Sequence, residues 1–167
     1  HNGMVVHTAG ALDMEVLTTV SKQHGVLYPL QSLLAHQQPL QAIPWLVDAN
    51  TAEGMQVITA FAQSLGSLVQ AATNEERKKF HLAAVLVNNF SNHLFQLAYE
   101  YCVANKLPFE LLQPLIAETA LRLQQLPPSL WQTGPARRKD EGTMAIHRHL
   151  LAEHPTLLSI YQLFSSS

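Results

Sequence analysis

The stretch Thr73–Asn105, TNEERKKFHLAAVLVNNFSNHLFQLAYEYCVAN, contains neither Gly nor Pro, and its reading decides how the chain is organised. It opens on a capping box. The Thr73 hydroxyl is placed to accept from the backbone N–H of Glu76, whose carboxylate can reach back to the N–H of Thr73. A long helix is therefore predicted from this point to near Asn105. It is apolar enough to be buried, yet His81, Asn88, Asn92 and Tyr99 recur at spacings that return to one stripe at about 3.6 residues per turn. A polar group withdrawn from water without a partner costs about 1–3 kcal/mol. Two readings fit such a stripe: a helix–helix seam whose polar groups satisfy one another, or a wall facing a ligand. Asn89 and His93 lie displaced around the same helix.

Upstream of residue 73 the pattern differs. Met4 to Thr8 is a short β-branched run closed by Gly10; Asp13 is expected to cap an amphipathic helix from Met14 to Gln23, stopped by Gly25. Val26-Leu27-Tyr28 reads as a second strand ended by Pro29, and Trp45-Leu46-Val47 as a third after a loop rich in Gln and Pro. Thr51 caps a helix from Ala52 to Leu65, terminated by Gly66, and Ser67 to Ala72 reads as a fourth strand. Strands alternating with helices indicate an α/β layer, so the predicted class is α+β: a small layer over 1–72, then an all-helical part over 73–167. The first strand has nothing before it, and a sheet that begins there has an open edge of the kind a partner strand covers.

Downstream, Pro108 opens a second helix that stops at Pro127-Pro128, with Pro114 imposing a kink or a delayed start. Asp140 caps a third helix through Ala152, and Pro155 suits the first turn of a last one running to Phe164. Between helices lies Thr133-Gly134-Pro135-Ala136-Arg137-Arg138-Lys139-Asp140, a turn followed by two guanidinium groups. Arg suits bidentate recognition of carboxylate or phosphate. Arg138 and Lys139 read as a solvated basic loop, whereas Arg137, fixed by the turn, reads as ligand-facing.

Several function classes find no support. A formal charge of −2 with mixed signs offers no electrostatic footprint for nucleic acid or membrane phosphates. No stretch reaches the roughly 18 apolar residues of a membrane span, and no secretion signal is visible at the start. Cys102 is the sole cysteine, which rules out an internal disulfide and suits a reducing cytoplasm. His147 and His149 would point about 200° apart on a helix, too far to chelate one ion. His147 shares a face with Thr143, which either turns it toward the preceding loop or leaves it at the surface. Neither a Gly-x-Ser-x-Gly elbow nor a Gly-x-Gly-x-x-Gly turn occurs. Position 1 is His, so the numbering is expected to begin at a cloning scar or within a longer natural chain.

Several pieces, taken in order, resemble a family. They are His7-Thr8-Ala9-Gly10, Tyr28-Pro29-Leu30-Gln31, Arg77 with His81 to Val85 and Asn88-Asn89-Phe90, and Thr133 to Arg137 with Asp140, Thr143 and His147. The sequence is similar to the C-terminal part of a family of Rossmann-like oxidoreductase-type proteins carrying a C-terminal domain of unknown function, related to pyrroline-5-carboxylate reductase and the deazaflavin-dependent NADP oxidoreductases. The resemblance implies that residues 1–72 end a nucleotide-binding domain. It also implies that residues 73–167 form a helical substrate and dimerisation domain like that at the C-terminus of 6-phosphogluconate dehydrogenase. It implies NADP or NAD as cofactor, held beside His7, Thr8, Gly10 and Pro29, and only with the glycine-rich half that this stretch lacks. Tyr28 stands where the family often has His.

The expected function is the substrate-side and dimerising part of an NAD(P)-dependent oxidoreductase acting on a small carbonyl or imine metabolite. His81 would move a proton, Asn89 and Asn92 would orient the reacting group, and Asn88, Thr133, Arg137 and His147 would bind substrate. A small-molecule substrate and a second copy of the chain are the expected partners. The rival reading is a non-catalytic helical dimerisation or ligand-sensing module; a histidine-based metal hydrolase is disfavoured by spacing.

Overall fold

The computed structural model describes residues 3–32, 43–65 and 68–166. It is a mixed α+β structure, and the four strands among the described residues all precede residue 72. They are β1 (Val5–His7), β2 (His24–Pro29), β3 (Trp45–Ala49) and β4 (Val69–Ala71), in spatial order β1-β2-β3-β4. β1 runs parallel to β2, β2 antiparallel to β3, and β3 parallel to β4. The chain divides into two compact units, residues 1–92 and 93–167.

In the first unit the alternation of strand side chains assigns the two faces of the sheet. Leu27 and Val47 are register partners and point to one side, where they form the core with Ile58 and Ala62 of α1 (Ala52–Ser64). Thr51 begins α1 as expected, its hydroxyl accepting from the Gly54 N–H at 3.0 Å. The opposite face carries the row His7, Val26 and Asp48, in register across β1, β2 and β3, with Tyr28 two residues further along β2. α2 (Asn74–Ala84) opens on the predicted capping box and sends Arg77 and His81, one turn apart, to this second face.

Three local expectations are corrected. Met14 to Gln23 does not form an amphipathic helix: only Met14–Leu17 turns, as a 3-10 helix. Asp13 makes no capping bond there, because its carboxylate binds Lys78 at 2.6 Å, and the Met14 N–H is taken by Asn74 at 3.2 Å. The β-branched residues Val16, Thr18, Thr19 and Val20 add little helix propensity to replace the missing cap. Second, the strand at Val26 is longer than its apolar core, since His24, Gly25 and Pro29 join it. The fourth strand spans Val69–Ala71, while Ser67 and the terminating Gly66 lie outside the described residues.

The third correction concerns the long helix. The chain is helical from Asn74 to Ala104, but Val85–Phe90 forms a π-helical turn between α2 and α3 (Ser91–Ala104). A π turn takes more residues than an α turn, so the phase that aligned His81 with Asn88, Asn92 and Tyr99 does not persist through it. Nor is the stripe buried. His81 is half-buried, while Asn88, Asn92 and Tyr99 are exposed.

In the second unit, Pro108 precedes a 3-10 turn over Phe109–Leu112, and α4 (Gln113–Leu123) starts only after it, with Pro114 in its first turn, the delayed start. That helix ends before Pro127-Pro128, where a short α5 (Pro128–Trp131) follows. Asp140 caps α6 (Glu141–Leu150), accepting from the Thr143 N–H at 3.0 Å; α6 stops two residues short of the expected end, and α7 runs Pro155–Ser165. Gly134 takes φ +105°, the left-handed turn its position called for.

Candidate functional site

A cavity of about 560 Å³ opens in the first unit between the end of β2 and the helical run through α2 and the π turn. Its walls include Tyr28, Leu30, Phe80, His81, Asn88 and Asn89. The volume suits a small organic ligand. Three of the residues singled out from the sequence, His81, Asn88 and Asn89, meet here, and the π turn is the element that carries both amides. π turns recur at functional sites because the extra residue re-aims side chains.

His81 is held on its inner edge. Its Nδ1 and the Tyr28 hydroxyl are hydrogen-bonded at 3.0 Å, with the rings edge to face at 6.0 Å between centroids. Gly10 is buried directly beneath the pair. A Cβ at that position would lie 2.6 Å from His81 Nδ1, 2.8 Å from Cγ and 3.0 Å from Tyr28 Cζ. The backbone can approach the imidazole this closely only without a side chain. Burial raises the Tyr28 hydroxyl above its ordinary value, so it stays protonated at neutral pH.

The other residues proposed to line a cofactor site do not share one setting. His7 lies on the same sheet face, its Nδ1 accepting from the Ala9 N–H at 3.2 Å and its Nε2 buried without a partner among the described residues. Burial first, then the Arg77 charge, lowers its affinity for a proton. Thr8 is exposed and Pro29 is buried within β2. Arg77, which sequence reasoning tied only to the family resemblance, is fully buried: it donates to the Leu12 carbonyl and, at 2.8 Å, to Asn74 Oδ1. That fixes the segment following Gly10 onto α2. Burial depresses the Arg77 proton affinity and raises that of Asp48 across the same face.

Asn92 is not among the residues lining the cavity. The remaining candidates belong to the second unit. Thr133 lines a separate hollow of about 290 Å³ with Tyr161, and His147 Nδ1 is hydrogen-bonded to the Tyr161 hydroxyl of α7 at 2.9 Å. Arg137 is exposed, and its guanidinium has no hydrogen bond or ion pair among the described residues. No group of three His, Cys, Asp or Glu side chains that could hold a metal occurs among the described residues. No helix among them is long and apolar enough to cross a membrane.

Sequence reasoning left Tyr28 and Gly10 unconnected to His81. The signal for Tyr28 was its parity with Val26 on β2; the signal for Gly10 is visible only once the distance of closest approach is known.

Residues 43–167 match the family model described as a domain of unknown function, DUF2520. The chain belongs to this family. Among solved structures it is similar to the protein BF3122 of Bacteroides fragilis, described as a "putative NADP oxidoreductase". The two are 38% identical with a TM-score of 0.91, over 98% of this chain and 63% of that one. Protein TM1727 of Thermotoga maritima has the same fold, with a TM-score of 0.76 at 21% identity over 98% of this chain and 66% of that one. The chain thus spans about two thirds of the length of each. No curated protein matches.

Proposed function

We propose that this DUF2520 chain is the substrate-side and dimerising part of an NAD(P)-dependent oxidoreductase that transfers hydride to or from a small carbonyl or imine. The observation that carries the reading is the cavity where His81, held by Tyr28 over Gly10, faces Asn88 and Asn89. The likeness to BF3122 over nearly the whole chain supports it. On this reading residues 1–72 end a Rossmann-like domain and residues 73–167 form a helical domain of the 6-phosphogluconate dehydrogenase C-terminal kind. The kinship extends to pyrroline-5-carboxylate reductase and the deazaflavin-dependent enzymes.

The residues present fit the reacting end of a dinucleotide and not its phosphates. Gly10, without a Cβ, lets the imidazole and phenol pack against its backbone, which holds His81 at the cavity wall where a flat nicotinamide ring would lie. No Gly-x-Gly-x-x-Gly turn is present to hold a pyrophosphate. The bound cofactor would supply hydride chemistry. His7, Thr8, Gly10 and Pro29 would border it, His81 would act on the reacting heteroatom, and Asn89 would orient it, with Asn88 contacting substrate. Asn92 would help Asn89 orient the reacting group, and Thr133, Arg137 and His147 would contact substrate.

Dimerisation is supported by the exposed apolar residues of the helical run: Leu82, Leu86, Val87, Phe90 and Val103 are each more than half exposed, Val87 by 74%. Patches of this kind mark interaction surfaces. The lone buried Cys102 agrees with a cytoplasmic setting. Titration of the full-length protein with NADPH and NADH, followed by nicotinamide fluorescence, tests the reading. Saturable binding of either supports it; binding of neither favours a non-catalytic assembly or ligand-sensing module.

A further inference from the structure

The hydrogen bond between Tyr28 and His81 joins a residue of β2 to the first turn before the π helix, and neither residue type explains it alone. A phenol is a strong donor and a weak acceptor. The Tyr28 hydroxyl has no second partner among the described residues, and burial keeps its proton on. Donation to Nδ1 gives that proton its partner. On a neutral imidazole the remaining proton then sits on Nε2, because whichever ring nitrogen accepts determines that the other carries the hydrogen.

We infer that Tyr28 is a positioning residue that locks neutral His81 in the Nε2–H tautomer, so that the cavity presents a fixed N–H donor to a substrate carbonyl oxygen or imine nitrogen. Three observations converge on it. The bond is 3.0 Å long; Gly10 packs under the pair, where an added Cβ would lie 2.6 Å from His81 Nδ1; and His81 lines the cavity while Nε2 makes no hydrogen bond among the described residues. A neutral N–H aimed at an oxygen on which charge develops stabilises that charge more than it stabilises the ground state.

This inference rests on the oxidoreductase reading for its use, though not for its test. In the reduction direction a bound reduced nicotinamide would supply the hydride that forms the new C–H bond, its own C–H bond breaking as it does so. The π pair moves onto oxygen, where it is held by the Nε2–H. The oxygen then takes its proton from solvent water. His81 donates a hydrogen bond throughout and Tyr28 keeps its proton. For an imine, nitrogen takes the place of oxygen.

The decisive experiment is long-range ¹⁵N–¹H correlation NMR of the full-length protein at a pH where the imidazole is neutral, comparing wild type with Tyr28→Phe. The phenyl ring is retained, so packing is preserved, and far-UV circular dichroism verifies the fold. Wild type should show the Nε2–H pattern for His81, and Tyr28→Phe should show a tautomer mixture. An Nδ1–H pattern in wild type, or an unchanged pattern in the variant, overturns the inference. The tautomer is readable whether or not any nicotinamide binds, so failure here is distinct from failure of the oxidoreductase reading. If turnover is found, Tyr28→Phe should lower kcat about tenfold while leaving the KM for NADPH unchanged. A KM effect alone would assign Tyr28 to cofactor binding instead and also contradict the proposal.

Discussion

The two units differ in how much apolar side chain they bury, although Leu82, Leu86, Val87 and Phe90 of the first are more than half exposed as well. In the first, the sheet carries Val26, Leu27, Leu46 and Val47 inside, Ile58 and Ala62 close one face, and the other face is finished by the buried Arg77. In the second, only Cys102 and Met144 are buried among the described residues, while Val103, Leu111, Leu115, Leu121 and Leu130 are each more than half exposed. A domain with its own core can hold a precise constellation such as Gly10, Tyr28 and His81. Helices that leave their apolar faces open are built to be covered by something else, which is the physical content of the proposed dimer.

That contrast can be broken at several points. Ile58→Ala should cost about 3 kcal/mol, since it removes most of a side chain from a closed core. Urea unfolding at several protein concentrations should give the same loss each time; a loss that depends on concentration would mean that the first unit, too, is completed by association. Gly10→Ala should cost about 2 kcal/mol, because the added methyl collides with His81 and Tyr28 and the neighbours must move. The same spectra that report the His81 tautomer should show the Tyr28 bond lost. Full stability and an intact bond would mean that the close approach is slack.

On the other side, Val103→Glu should leave the fold of the first unit unchanged and weaken self-association about tenfold, near 1.4 kcal/mol, as read by sedimentation equilibrium. A protein that is monomeric before and after the substitution removes the dimer. The smallest effect is expected at Asp48, whose carboxyl burial holds above the ordinary aspartate range. A carboxyl raised in the fold favours the folded state at low pH, and that contribution is lost as the pH rises through the raised value. Asp48→Asn should therefore gain stability relative to wild type as the pH moves from acid to neutral. A difference that runs the other way would mean that attraction to Arg77 outweighs burial.

Much of this was legible in the chain itself. The capping box at Thr73, the Thr51 and Asp140 caps and the Pro155 start are local chemistry, decided within four residues, and each stands where the residues indicated. Met14 to Gln23 misled because Asp13 found a better partner in Lys78, sixty-five positions away, and long-range competition of that kind leaves no local trace. The π turn at Val85–Phe90 was hidden for a related reason: nothing in VLVNNF forbids an ordinary α turn. The candidate site was half visible. His81, Asn88 and Asn89 stood out as polar residues in an apolar helix, but Tyr28 joined them only through the pleat of β2 and Gly10 only through a distance. Arg137 and Thr133 drew attention by their turn chemistry and lie in the other unit.

The central claim is that the His81 cavity is where the reacting group is handled. The most direct test measures NADPH oxidation by the full-length protein against a panel of small aldehydes, ketones and cyclic imines, for wild type and His81→Ala, with NADPH affinity measured alongside. The account predicts a wild-type rate with at least one acceptor, a fall of about 100-fold in the variant, and NADPH affinity changed by no more than about twofold. Equal rates for the two proteins, or no oxidation with any acceptor, would contradict it.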